Sequence, residues 1–198
     1  MPTHTKHDKK EIFYFVTFTC YKWLPLLERS DIYPFLSNWI SEINKRGILT
    51  CGYVFMPNHI HLLVYVQRNA IGLNYVIGEG KRFLAYEIVK RLKLKEENAI
   101  LDVLQKGVQS KEHKIGKVHQ VFRSSFDAKE VVGVPEINRV LDYIHANPVS
   151  GKWKLVKEYI NYPYSSAAYY EFGKNGNIEV FDFRDVVASE SPPDDSAE

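Results

Sequence analysis

The chain has 198 residues, 45% of them hydrophobic and 14% aromatic, and a formal net charge of +2. That size and apolar content suit one domain with a well-filled core. The longest apolar runs, such as "IHLLVYV", fall far short of the roughly 20 residues that a membrane span needs. The opening "MPTHTKHDKK" lacks the pattern of a cleavable leader, so a cytoplasmic protein is expected.

In chain order, "IFYFVTFTC" (12–20) alternates and is rich in aromatic and β-branched residues, which predicts a strand after a flexible N-terminus at 1–11. Residues 30–45 carry Ile32, Phe35, Leu36, Trp39, Ile40 and Ile43 on one helical stripe, with Ser30 or Asp31 as its cap and Gly47 as its end. "ILTCGYVF" and "HIHLLVYV" then read as two strands of a hairpin turning at Pro57-Asn58. A second helix is predicted over 72–93, strongest in "KRFLAYEIVKRLK". Residues 94–118 read as an irregular basic insertion with one short helix. "VHQVFRSSF" resembles a strand, and "VPEINRVLDYIHANP" a helix opened near Pro135 and ended by Pro148. The order β-α-β-β-α-β-α is an α+β, ferredoxin-like antiparallel sheet with an added C-terminal helix. The domain is placed at 12–172, with a C-terminal extension at 173–198 that lacks order from 189. Cys20 and Cys51 both fall in strands and read as buried thiols, not as a disulfide.

Charge is unevenly spread. From Lys81 to Arg123 there are eleven Lys or Arg against five Asp or Glu, which suits either a polyanion or a solvated helix face with a basic loop. Within the hairpin, strand periodicity puts His59, His61, Leu63 and Tyr65 on one face and Ile60, Leu62, Val64 and Val66 on the other. The two imidazoles are spaced to share a divalent ion, or are a pair of strand histidines with no ligand. In the last helix Ile137, Val140, Leu141 and Ile144 form the buried stripe. Tyr143 lies well off that stripe, and Asn147 follows on its side one turn later. Alternatively, Tyr143 is a boundary aromatic and Asn147 a helix-end residue.

Taken in order, "MPNHIHLLV", "VFRSSFD", "YIHANPV" and "YPYSS" resemble the single-tyrosine transposases of the HUH superfamily, and among them the REP-associated tyrosine transposases. The resemblance implies a ferredoxin-like core acting on single-stranded or hairpin DNA. It implies Tyr143 as the nucleophile, His59 and His61 as metal ligands and Asn147 as a third polar ligand, with Mg2+ or Mn2+ as the cofactor. The chemistry suits those residue types. A held divalent ion polarises a nonbridging phosphate oxygen, and a tyrosine, which ordinarily ionises near pH 10, attacks when placed against the phosphorus. The expected products are a 5′-phosphotyrosine and a free 3′-hydroxyl, a link that allows rejoining. Lys81, Arg82, Lys90, Arg91 and Arg123 are the expected DNA contacts. Both monomers and homodimers are compatible with the resemblance. The alternatives are a catalytically silent hairpin-binding protein and a metal-dependent nuclease that uses water.

Overall fold

The computed structural model describes residue 7 and residues 9–114, 116–174 and 176–190. Of the expected flexible N-terminus (1–11) and disordered tail (from 189), residues 1–6, 8 and 191–198 lie outside the described residues, whereas Glu11 N donates to Val66 O and residues 189 and 190 end a helix at Phe183–Glu190. Four strands, β1 (Ile12–Thr19), β2 (Ile48–Met56), β3 (His59–Val66) and β4 (Asp127–Val131), form one antiparallel sheet in the order β2-β3-β1-β4. This is the ferredoxin-like arrangement that the element order predicts. The central strands β1 and β3 carry apolar side chains on both faces, as strands covered on both faces must, and the edge strand β2 is buried along almost its whole length as well.

Alternation along these strands divides the core. Tyr14, Val16, Phe18, Ile60, Leu62, Val64 and Val66 face a cluster completed by α1 (Leu26–Ser30), α2 (Tyr33–Lys45), α3 (Leu73–Leu94) and α4 (Asn98–Lys106). Phe13, Leu63 and Tyr65 face a second cluster, closed by α6 (Val134–Ala146) and α8 (Phe183–Glu190). The chain between them adds α5 (Ser110–His113) and α7 (Ala167–Phe172). The segment before α7 runs along the outer edge of β2, where Phe55 N donates to Tyr164 O and Ser166 N to Tyr53 O. An edge that would otherwise offer unpaired backbone groups is thereby covered.

Three local expectations are corrected. The strand expected in "VHQVFRSSF" is a single bridge between Cys20 and Phe122, and the strand itself comes later, at Asp127–Val131. Val121 and Phe122 are used to plug the first cluster, whereas β4 is an edge strand with only Val131 buried and so carries little hydrophobic signal. Among the described residues of 94–118 there are two helices, α4 and α5, where one was expected. Neither Ser30 nor Asp31 caps α2. The Ser30 hydroxyl donates to Leu26 O inside the short α1, and Asp31 takes the left-handed conformation that ends α1, so α2 starts at Tyr33 with Pro34 in its first turn. Gly47 does end that helix, with φ +79°. Cys20 and Cys51 are buried free thiols. No helix among the described residues is long and apolar enough to cross a membrane.

Candidate active site

The β2–β3 hairpin brings His59 and His61 out of the same face of β3, with ring centroids 4.7 Å apart. Next to them on β1, Thr19 stands opposite His59 and Thr17 opposite His61. Each imidazole is held by its Nδ1. The turn residue Asn58 is fully buried, its Nδ2 donates to Trp23 O at 3.1 Å, and this fixes its Oδ1 to accept from His59 Nδ1 at 2.6 Å. His61 Nδ1 lies 2.7 Å from Thr17 Oγ1. Such partners orient a ring, and for His59 the acceptor Asn58 Oδ1 also sets the tautomer, leaving Nε2 as the lone-pair end.

Burial fixes the charge of both rings. His61 is only 4% exposed. Desolvation, helped by the neighbouring His59, pushes its pKa down to about 3. His59 is likewise lowered by desolvation, partly offset by the Asn147 amide oxygen, which favours the protonated ring. Neutral imidazole is the form that ligates a metal.

Helix α6 supplies the opposite wall. Ile137, Leu141 and Ile144 bury against the sheet, and Val140 packs beside them, as the spacing predicts. The close approach depends on Gly52 in β2, where a Cβ would lie 2.4 Å from Leu141 Cδ2. The far end of the helix is pinned by His145, whose Nε2 is 2.9 Å from Ser166 Oγ, the same oxygen that accepts from Tyr53 N. With the buried stripe thus seated, Tyr143 remains 54% exposed. Its ring stands 5.3 Å from that of His61 and 5.8 Å from that of Phe15. Asn147 Nδ2 donates to Tyr143 O at 2.9 Å, which turns Oδ1 toward His59. That oxygen is 3.3 Å from His59 Nε2.

The last distance decides whether the residues fit a metal. His59 Nδ1–H is given to Asn58, so Nε2 presents a lone pair, and Asn147 Oδ1 is an acceptor as well. Two acceptors converge with no proton between them, an arrangement that a cation relieves. Among the described residues no group of three or more His, Cys, Asp or Glu is placed to hold a metal. A metal held here would take the Asn147 amide oxygen as its third donor. Two imidazoles and one amide oxygen suit a divalent ion that keeps open positions for substrate oxygens.

The five expected DNA contacts are not equivalent. Lys81 is only 9% exposed, and its ammonium donates to Arg123 O and Ser125 O at 2.8 Å each, so it ties down the loop before β4. Arg91 is committed to Glu87 and to Asp31 O, where it fastens α3 to the end of α1. Lys90 is exposed and pairs loosely with Glu87 at 3.6 Å. Arg82 lines a groove of about 910 Å3 between α3 and the segment before β4, together with Tyr86, Lys117, His119, Arg123 and Lys129. Arg123 is also exposed, with its guanidinium 5.4 Å from the centroid of the Trp23 ring.

Thr17, Asn58 and Trp23 were not singled out by sequence reasoning. For Thr17 the signal was available in principle, as a hydroxyl in the strand that must neighbour the His-x-His strand. For Asn58 and Trp23 it was not, because both act through a turn geometry that only the fold sets.

No family model and no curated protein matches the chain. Among solved structures, one of a REP-associated tyrosine transposase bound to a REP hairpin superposes with a TM-score of 0.57 at 18% identity, over 92% of this chain and 93% of that one. The two chains share a fold. A candidate transposase from Deinococcus radiodurans R1 superposes at a TM-score of 0.31 and 15% identity, over 72% of this chain and 95% of that one, which carries no further argument.

Proposed function

We propose that this chain is a metal-dependent enzyme that cleaves and rejoins single-stranded DNA near a hairpin. His59, His61 and Asn147 hold Mg2+ or Mn2+, and Tyr143 is the nucleophile. The observation that carries this reading is the convergence of two lone pairs, His59 Nε2 and Asn147 Oδ1, beside a half-exposed tyrosine on α6, the helix that Asn147 ends. A bound divalent ion would supply charge stabilisation at the nonbridging phosphate oxygens. The hairpin in the structure of similar fold supports hairpin DNA as the substrate class.

The chain's own part is positional. Tyr143 Oη attacks phosphorus, the P–O3′ bond breaks, the phenolic proton is lost to water, and the departing oxygen is protonated to a 3′-hydroxyl. The phosphate stays on the tyrosine as a 5′-phosphotyrosine. In the reverse sense, another 3′-hydroxyl attacks the same phosphorus and tyrosine leaves, so strands exchange without ATP. Proximity and orientation are the main contributions that a rigid helix seated on a sheet makes to such a step. Arg82, Lys90 and Arg123 remain available for phosphate contacts, while Lys81 and Arg91 serve the fold.

The test is incubation of end-labelled hairpin DNAs from the flanks of the gene with wild type and Tyr143→Phe, with and without Mg2+ or Mn2+, on a denaturing gel. A metal-dependent covalent adduct that the mutant lacks is expected. Cleaved ends without an adduct would indicate a nuclease using water. Tight binding with neither adduct nor cleavage would indicate a silent hairpin-binding protein.

A further inference from the structure

Immediately after β1 the backbone does something that its residues resist. Lys22 and Trp23 both have positive φ, 51° and 58°. Two successive non-glycine residues in the left-handed region persist only where surrounding structure holds them, and such strain gathers at functional sites. Here the holding is visible. Trp23 N donates to Cys20 O at 3.1 Å, and Trp23 O accepts from Asn58 Nδ2. Asn58 is the residue whose Oδ1 also orients His59, so the tryptophan and the candidate metal site hang on one amide.

The strain does not serve packing. Trp23 belongs to neither core cluster, and it is 49% exposed. Its ring stands edge-on to His59 at 6.0 Å, while Arg123 covers it with a guanidinium. Arg123 is itself placed by its backbone N–H donating to Thr19 O at 2.9 Å, and it also lines the basic groove beside α3. An aromatic surface, a cation and a basic groove thus lead away from the histidines on one side. A stacked strand rises about 3.4 Å per nucleotide, so 6.0 Å is one to two nucleotide steps.

We propose that Trp23, backed by Arg123, is the stacking platform for a base within two nucleotides of the scissile phosphate. The inference rests on the cleavage reading and adds the residue that grips the strand beside the reacting bond. Stacking on an aromatic tolerates any base, so Trp23 contributes affinity and placement, while sequence choice lies elsewhere.

The full-length protein tests this in three ways. Titration with a short oligothymidylate should quench tryptophan fluorescence in wild type and much less in Trp23→Phe. Trp23→Ala should weaken oligothymidylate binding about 5- to 100-fold, and Trp23→Phe should recover a large part of it. Trp23→Gly should weaken binding equally while leaving Tm unchanged or raised, because glycine relieves the positive φ. A structural tryptophan would lower Tm and affinity together. In gene-flank hairpins scanned with single abasic sites, the Trp23→Ala penalty should vanish at one position within two nucleotides of the cut. Tyr143-dependent adducts combined with unchanged binding by the Trp23 variants would overturn the platform and leave the cleavage reading intact. Quenching at Trp23 without an adduct from any protein would overturn the cleavage reading, and with it the assignment of this base to a scissile site.

Discussion

Thr17→Val removes one oxygen from β1 and keeps the branched shape that a strand prefers. Thr17 Oγ1 is 2.7 Å from His61 Nδ1, in a ring that is otherwise desolvated. Without that oxygen the ring loses the side-chain contact that holds it in place, and its Nδ1 is left without its partner. Partners of this kind are typically worth 10- to 100-fold in metal affinity, or about 1.4 to 2.7 kcal/mol. Valine makes no new clash on the strand, so Tm should fall by no more than a few degrees. The assay is the rate of covalent adduct formation as a function of Mn2+, together with direct Mn2+ binding followed by the loss of the free-ion EPR signal. The half-saturating concentration should rise 10- to 100-fold, and the rate at saturating Mn2+ should return close to wild type. An unchanged Mn2+ dependence would refute the claim that Thr17 orients a ligand. A rate that saturating metal does not restore would show that Thr17 acts on the DNA or on Tyr143.

Other perturbations probe separate parts of the site. Asn147→Ala removes the oxygen facing His59 and should raise the Mn2+ requirement while leaving hairpin affinity within about twofold, since phosphate contacts dominate binding; equal loss of both would make Asn147 a DNA ligand. Gly52→Val places branched carbons where Leu141 now packs and should cost about 1 to 3 kcal/mol by overpacking, with adduct formation falling further than stability because α6 carries Tyr143; urea titration and gel assay on the same samples separate the two.

Lys81→Met should cost about 1.5 to 3 kcal/mol at neutral pH by leaving two carbonyls without their charged donor. Burial, with the Lys117 charge adding to it, pushes the Lys81 pKa down to about 8 from its ordinary 10.5. Between those values the unfolded chain binds the proton and the folded chain does not, so wild type should gain stability relative to the mutant as pH rises from 8 to 10.5. Parallel urea curves in which the gap stays constant over that range would contradict the assignment.

Much of the arrangement was legible in the residues themselves because it depends on periodicity. A period of two puts His59 and His61 on one face whatever the strand packs against, and a period of 3.6 puts Tyr143 off the stripe of Ile137, Leu141 and Ile144. The central strands, being apolar, announced themselves as well. Edge strand β4 did not, because an exposed strand needs no hydrophobic pattern and its pairing with β1 is a long-range choice. The basic residues misled for a related reason. Lys81 and Arg91 have the same sequence signature as Arg82 and Lys90, and only the packing of α3 decides which ammonium or guanidinium turns inward to a carbonyl. Tertiary structure alone decided that Asn147 Oδ1 meets His59 Nε2, since the two are 88 positions apart and each is aimed by a different neighbour, Tyr143 O in one case and Asn58 in the other. It also decided that Trp23 stays at the surface. Composition would have buried a tryptophan, but two left-handed residues and one buried amide hold it beside the histidines.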